Sequence, residues 1–221
     1  RNITVQLTMV GSYPHPLSNG PLSKYNRDLN IRVTGWAERA EHFFLYQYLR
    51  RWAWLDMSWM LVKAMQKDLS YLRTLGFDAF YSQYTTENSF SVLANYYIGA
   101  KLLWNFDADV TALLDDFYKK FYQESATSMT IFSTIFQTAL ENADMPVWGL
   151  SPTALWIYTP EILEQAKKQL IQAKNMAYHE LTYTRLELAE AQFIHTENII
   201  RYYNYFRHLL DVDPLKLSLT R

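Results

Sequence analysis

The run HFFLYQYL, residues 42–49, decides the fold. It is dense in aromatic and aliphatic side chains, holds neither Gly nor Pro, and is too short for a helix of ordinary length, so it reads as a strand. Working outward, residues 57–75 repeat apolar side chains at helical spacing and stop at Gly76, a C-terminal cap, before DAFYSQY, residues 78–84, gives a further strand. On the other side, NITVQLTM, residues 2–9, alternates polar and apolar and is the first strand. The stretch GSYPHPLSNGP, residues 11–21, has too many helix and strand breakers for regular structure, and residues 26–41 form a helix. Strand, helix, strand, helix, strand is the pattern of a parallel sheet with helical crossovers.

Beyond residue 84 no strand pattern recurs. Helices are expected at 89–104, 107–123, 125–142, 160–178 and 183–210. The corner between the first two is the run ANYYIGAKLLWNFDADVTALLDDFYKKFY, residues 94–122, in which Asn105-Phe106-Asp107 interrupts one apolar pattern and Val110, Leu113, Leu114, Phe117 and Phe121 restart it. Asp107 or Asp109 is the N-cap, since a short carboxylate side chain accepts hydrogen bonds from the first free backbone N–H groups. Thr159-Pro160-Glu161 is another helix start, with a capping hydroxyl, a proline in the first turn and an acid beside it. The fold class is therefore α/β and helix-dominated. Residues 1–104 carry the strands and their helices, and residues 105–221 an all-helical subdomain.

Composition narrows the partners. Twenty-one basic against 22 acidic residues in 221 leave a net charge of −1, which gives no electrostatic reason to expect nucleic acid. No apolar run reaches the length of a membrane span. The absence of cysteine excludes disulfides, thiol nucleophiles and thiolate metal sites. Seventeen Tyr and 7 Trp supply amphipathic rings suited to gripping a wet, partly apolar ligand, although most such rings fill cores. The chain begins without methionine inside what reads as a strand, as a C-terminal piece of a longer protein would.

A resemblance sharpens these expectations. The tyrosine-rich helix leading into Lys101-Leu102-Leu103-Trp104-Asn105 and Asp107-Ala108-Asp109-Val110, followed by Asp115-Asp116-Phe117 and Phe121-Tyr122, resembles the closing part of the bacterial domain of unknown function 4838. The loop Tyr13-Pro14-His15-Pro16-Leu17, then Asn26, Trp36 and Tyr46-Gln47-Tyr48, follow the same order. That family resembles glycoside-hydrolase-like barrels, distantly similar to alpha-glucuronidases and hexosaminidases. The resemblance implies the C-terminal part of a (β/α)8 barrel, a bacterial protein that is secreted or periplasmic, and an oligosaccharide or glycan as ligand.

In a parallel barrel the working surface lies at the C-terminal ends of the strands. That rule selects Tyr13 and His15 after the first strand, Tyr46, Gln47, Tyr48 and Arg50 around the end of the second, and Ser82, Gln83, Tyr84, Thr85 and Glu87 after the third, with Trp52 and Trp54 as further walls. The expected substrate contacts are Tyr13, His15, Trp36, Tyr46, Tyr48, Gln83 and Tyr84. Glycoside hydrolysis uses two carboxyl groups across the scissile bond. Glu87 is the one candidate catalytic acid or base; as an acid after a strand it is more simply a helix-start residue. Relatives often carry an acid near the end of the last strand, where this chain has Gln83-Tyr84, so any catalytic carboxylates are expected upstream. Asp56 and Glu41 read as exposed or helix-start acids.

No metal or cofactor is implied. Asp107-x-Asp109 lacks the glycine and terminal glutamate of a calcium loop, His179-Glu180 has Tyr183 where a zinc-protease helix needs its second histidine, and no glycine-rich phosphate loop is present. Asn2-Ile3-Thr4 matches a glycosylation acceptor inside a predicted strand. Two alternatives to an enzyme stand beside it. One is a non-catalytic carbohydrate-binding module. The other is a helical protein-interaction domain: Leu186, Leu188, Phe193, Ile194, Ile199, Ile200, Tyr203, Phe206 and Leu209, with Tyr202 and Tyr205 alongside, make a broad apolar surface that burial against the preceding helices explains most economically and that, left exposed, would be a partner interface or a homodimer through the C-terminal helices.

Overall fold

The computed structural model describes residues 3–9, 14–17, 24–84, 89–143, 145, 147 and 151–210. Three parallel strands, β1 (Thr4–Met9), β2 (His42–Gln47) and β3 (Ala79–Tyr81), lie side by side in that order. Thr4 pairs with His42 and Phe44 with Ala79. The crossovers are α1 (Lys24–Ala37) and α2 (Val62–Thr74). Period-two alternation separates the faces: Met9, Phe43 and Leu45 pack with Leu29, Val33 and Leu72 beneath the helices, whereas Phe44 and Tyr81 on the other face are exposed. Gly76, at φ +77°, turns the chain out of α2, a conformation that favours glycine. Asp78 then locks β3 to β2, its amide donating to the Phe43 carbonyl at 3.0 Å and its carboxylate accepting the Phe43 N–H at 2.9 Å.

The rest of the chain is helical: α3 (Leu93–Trp104), α4 (Val110–Tyr122), α5 (Ala126–Glu141), the one-turn α6 (Ala154–Ile157), α7 (Pro160–Met176) and α8 (Glu180–Leu210). Asp109 is the cap of α4, accepting from Thr111 and Ala112 N–H at 2.8 and 3.2 Å, while Asp107 faces Arg73 at 3.5 Å. Thr159 caps α7 ahead of Pro160, as its sequence predicts.

Four elements differ from expectation. The helix expected from residue 57 starts at Val62, because Met57–Leu61 runs as an irregular, fully core-facing segment. The helix expected from Ser89 opens with a tight 3-10 turn, Ser89–Val92, and α6 is too short to leave a periodic signal. The broad apolar surface of α8 divides. Leu186, Phe193 and Ile200 are core, and Leu188 and Ile194 face solvent with Tyr202 and Tyr205. Leu209 lies at a position whose side chain is outside the description.

The largest core cluster unites both parts of the chain. Trp54, Met57, Trp59 and Leu61 pack in it with Phe132, Phe136, Tyr158, Leu186 and Phe193. Trp54 meets Trp59 and Tyr158 ring to ring at 5.0 and 5.9 Å. Such edge and tilted contacts add to the apolar burial of each ring.

Candidate functional site

The C-terminal ends of the strands gather an aromatic cluster. Tyr46, the last but one residue of β2, stands 4.8 Å from the Tyr48 ring and 5.1 Å from that of Tyr81, its register partner on β3. Trp52 lies in the turn after β2, about half exposed, and its indole N–H donates to the Gln83 side-chain oxygen at 3.2 Å. The Tyr96 hydroxyl, reaching over from α3, donates to the Gln83 carbonyl, and the Tyr96 ring meets Tyr84 edge-on at 5.0 Å. Two strand ends, one turn and one helix thus converge on Gln83.

The electrostatics are those of a neutral surface with cations behind it. Burial, with the Tyr48 hydroxyl next, pushes the Tyr46 phenol up to about 12 against the opposing hydrogen bond from Gln83, so Tyr46 remains a neutral hydroxyl. Burial also raises Tyr96, against the Ser82 hydroxyl and the Arg50 charge. Arg50 sits 4.4 Å over the Trp52 ring and is almost fully buried; its guanidinium grips the Asp56 carboxylate at 2.7 Å through Nε and 2.5 Å through Nη2. Arg51 lies 5.9 Å from the Tyr48 ring centre. Rings for stacking, an amide and several hydroxyls suit a polyhydroxylated ligand.

The expected contacts divide. Tyr46, Tyr48, Gln83 and Tyr84 are brought together. Gln47 is buried, because the step of one residue from Tyr46 turns it to the helix-covered face. Trp36 lies near the end of α1, only a short turn before β2 begins, and so at the opposite end of the sheet. Trp54 is core and not a wall. Asp56 is no exposed acid, being the partner of Arg50. Tyr13, Thr85 and Glu87 lie outside the described residues.

His15 is turned away into a separate buried cluster. Its carbonyl accepts from the Asn26 amide at 3.0 Å, and burial lowers its ring pKa despite the Ala143 carbonyl and the Glu141 charge at the end of α5. Two residues on, the Leu17 N–H donates to the buried Asp68 carboxyl of α2 at 2.6 Å. This loop is latched to helices.

Sequence reasoning missed Tyr81, Tyr96 and the Arg50–Asp56 pair as parts of the cluster. The period of two that selects Tyr46 also selects Tyr81 once the register is known. Tyr96 carries no such signal, since its tyrosine-rich helix reads as a packing face. A separate groove of about 500 Å³ is lined by Ile131, Thr138, Asn142, Trp156, Ile162 and Gln165 among others, with no titratable side chain among the described residues of its lining. Among the described residues no cluster of His, Cys, Asp and Glu could hold a metal.

A family model described as domain of unknown function (DUF4838) matches residues 1–132, more than half of the chain and all three strands with α1 to α4. The chain belongs to that family. No curated protein and no solved structure matches it.

Proposed function

We propose that these residues form part of a glycoside-hydrolase-like protein that holds an oligosaccharide against the aromatic cluster. The single observation that carries this reading is the convergence of Tyr46, Tyr48, Trp52 and Tyr84 around Gln83 at the C-terminal ends of parallel strands. The finer architecture belongs to the same proposal: β1, β2 and β3 are the last strands of a (β/α)8 barrel. Their sequential order, their helical crossovers and the uncovered Phe44 and Tyr81 on the opposite face support it. The catalytic carboxylates come from upstream strands, and Glu87 remains the residue of this stretch to test as an acid or base. A glycan ligand accords with a secreted or periplasmic protein.

A second reading, a non-catalytic carbohydrate-binding module, is favoured by one observation: Asp56, the carboxylate described at the cluster, is engaged by Arg50. A helical interaction domain that dimerises through α8 rests on the exposed Leu188, Ile194, Tyr202 and Tyr205.

The test is a glycan-array screen with hydrolysis followed in the same wells, run on the protein, its Trp52→Ala and Tyr48→Ala variants, and the full-length polypeptide. Binding that both substitutions weaken supports the proposal, and cleavage by the full-length polypeptide makes it an enzyme. Binding unchanged in both variants removes the cluster from the site. Silence throughout, with mass that rises with concentration, moves the function to α8.

A further inference from the structure

The turn that carries Trp52 is held from the far end of the chain. Leu55 and Asp56 are consecutive non-glycine residues in the left-handed region, at φ 52° and 57°. Such a pair is costly for residues with a Cβ and persists where surrounding contacts over-determine it. Those contacts come from one face of α8. Gln192 donates to the Asp56 carbonyl, His195 Nε2 lies 2.6 Å from the Leu55 carbonyl, and Thr196 Oγ1 accepts the Ser58 N–H at 3.3 Å. A carbonyl only accepts, so His195 carries its proton on Nε2. The spacing of 192, 195 and 196 is the i, i+3, i+4 spacing that puts three side chains on one side of a helix.

From Asp56 the contacts run on into the site. Its carboxylate fixes Arg50 with two bonds to one oxygen, Arg50 lies over the Trp52 ring, and the Trp52 indole ends on Gln83. Each link is short-ranged and directional, so the indole plane follows the geometry of Asp56, and Asp56 that of α8.

We propose that Gln192 and His195 of α8 are positioning residues for the Trp52 wall of the aromatic site, acting through the left-handed Leu55–Asp56 pair and the Asp56–Arg50 ion pair. The role of Trp52 as a ligand wall rests on the glycan reading above; its orientation by α8 does not. The helical part of the chain thereby sets the shape of a surface built on the strands.

The experiment is fluorine NMR on the whole protein labelled with 5-fluorotryptophan, with the Trp52 line assigned by Trp52→Phe. In the Gln192→Ala/His195→Ala double variant the Trp52 line shifts and becomes more sensitive to exchange of H2O for D2O, while the lines of Trp36 and Trp104 stay in place. His195→Gln in the Gln192 background keeps a donor for the Leu55 carbonyl and leaves the Trp52 line at its original position. A Trp52 line unmoved in the double variant overturns the proposal, as does a loss of thermal stability with changes confined to the Trp54 and Trp59 lines. Should the double variant fail to fold, near-isosteric Gln192→Met decides by the same criterion. Xylohexaose and cellohexaose titrated into the same samples separate the two claims: a wild-type protein that binds neither counts against the glycan reading, and the Trp52 line still decides the positioning role.

Discussion

Asp68→Asn makes the protein more stable at alkaline pH and removes the part of its stability that falls as pH rises. Asp68 is 6% exposed, and no ion pair reaches it among the described residues; its carboxyl meets the Leu17 N–H at 2.6 Å. Burial, which penalises the charged form, pushes its pKa from 3.8 to about 7 despite that N–H. Between those two values the folded protein keeps a proton that the unfolded chain has released. The unfolding free energy therefore falls as pH rises through this window: the contribution is complete below 3.8 and lost above about 7. The span corresponds to roughly 4 kcal/mol, an upper figure if water reaches the carboxylate. Asparagine keeps an oxygen for the Leu17 N–H and has no charge to desolvate. Urea unfolding at a series of pH values from about 4 to 8 measures this directly, through the midpoint at constant slope. The wild type loses stability relative to the variant across the series, and the variant overtakes it at the alkaline end. Parallel curves for the two proteins, or a variant less stable at the alkaline end, would refute the reasoning.

Asn95 is fully buried and its amide holds Leu49 O, Trp59 O and Leu61 N–H at 3.0, 2.8 and 3.0 Å, so Asn95→Ala strands three backbone groups and lowers stability by about 3–5 kcal/mol in urea unfolding. A loss under about 1 kcal/mol would mean that water replaces the amide. A Cβ on Gly99 would stand 3.1 Å from Leu49 Cδ1 and 3.2 Å from Met65 Sδ; Gly99→Val therefore overpacks the contact between α3 and α2, costing about 1–3 kcal/mol and lowering the thermal midpoint. Asp109→Ala removes the cap of α4 at about 1 kcal/mol, whereas Asp107→Ala, at an exposed 3.5 Å pair, changes the midpoint little; comparable losses from the two would reverse the assignment of the cap.

Local chemistry carried much of the fold into view. Alternation in the first strand, the apolar run at residues 42–49 and the glycine after α2 are short-range signals, and each leads to its element. The cap at Thr159 was legible for the same reason, since a side chain within three residues does the work, and that of α4 was narrowed to Asp107 or Asp109 before the structure selected Asp109. What was not legible depends on partners distant in sequence. Trp52 and Trp54 are two residues apart and chemically identical, yet one is half exposed and the other is core, because the Trp59 and Tyr158 rings pack on the second. His15 sits in a loop that the barrel rule assigns to the site, but its burial follows from the end of α5. Trp36 failed on direction alone: a crossover helix runs back along the sheet, so a residue at its end lies opposite the strand tips.

The Ser58 N–H finds its partner in Thr196, 138 residues further along the chain. During synthesis at about 5–20 residues per second, the tryptophan-rich segment around Ser58 leaves the ribosome roughly 7–28 s before the stretch of α8 that packs on it. For that interval Trp54, Met57 and Trp59, among the most deeply buried side chains of the finished protein, have no lid of their own. The order of translation thus makes this segment the natural client of a chaperone and the natural nucleus of aggregation, and any truncation that removes α8 renders that transient exposure permanent.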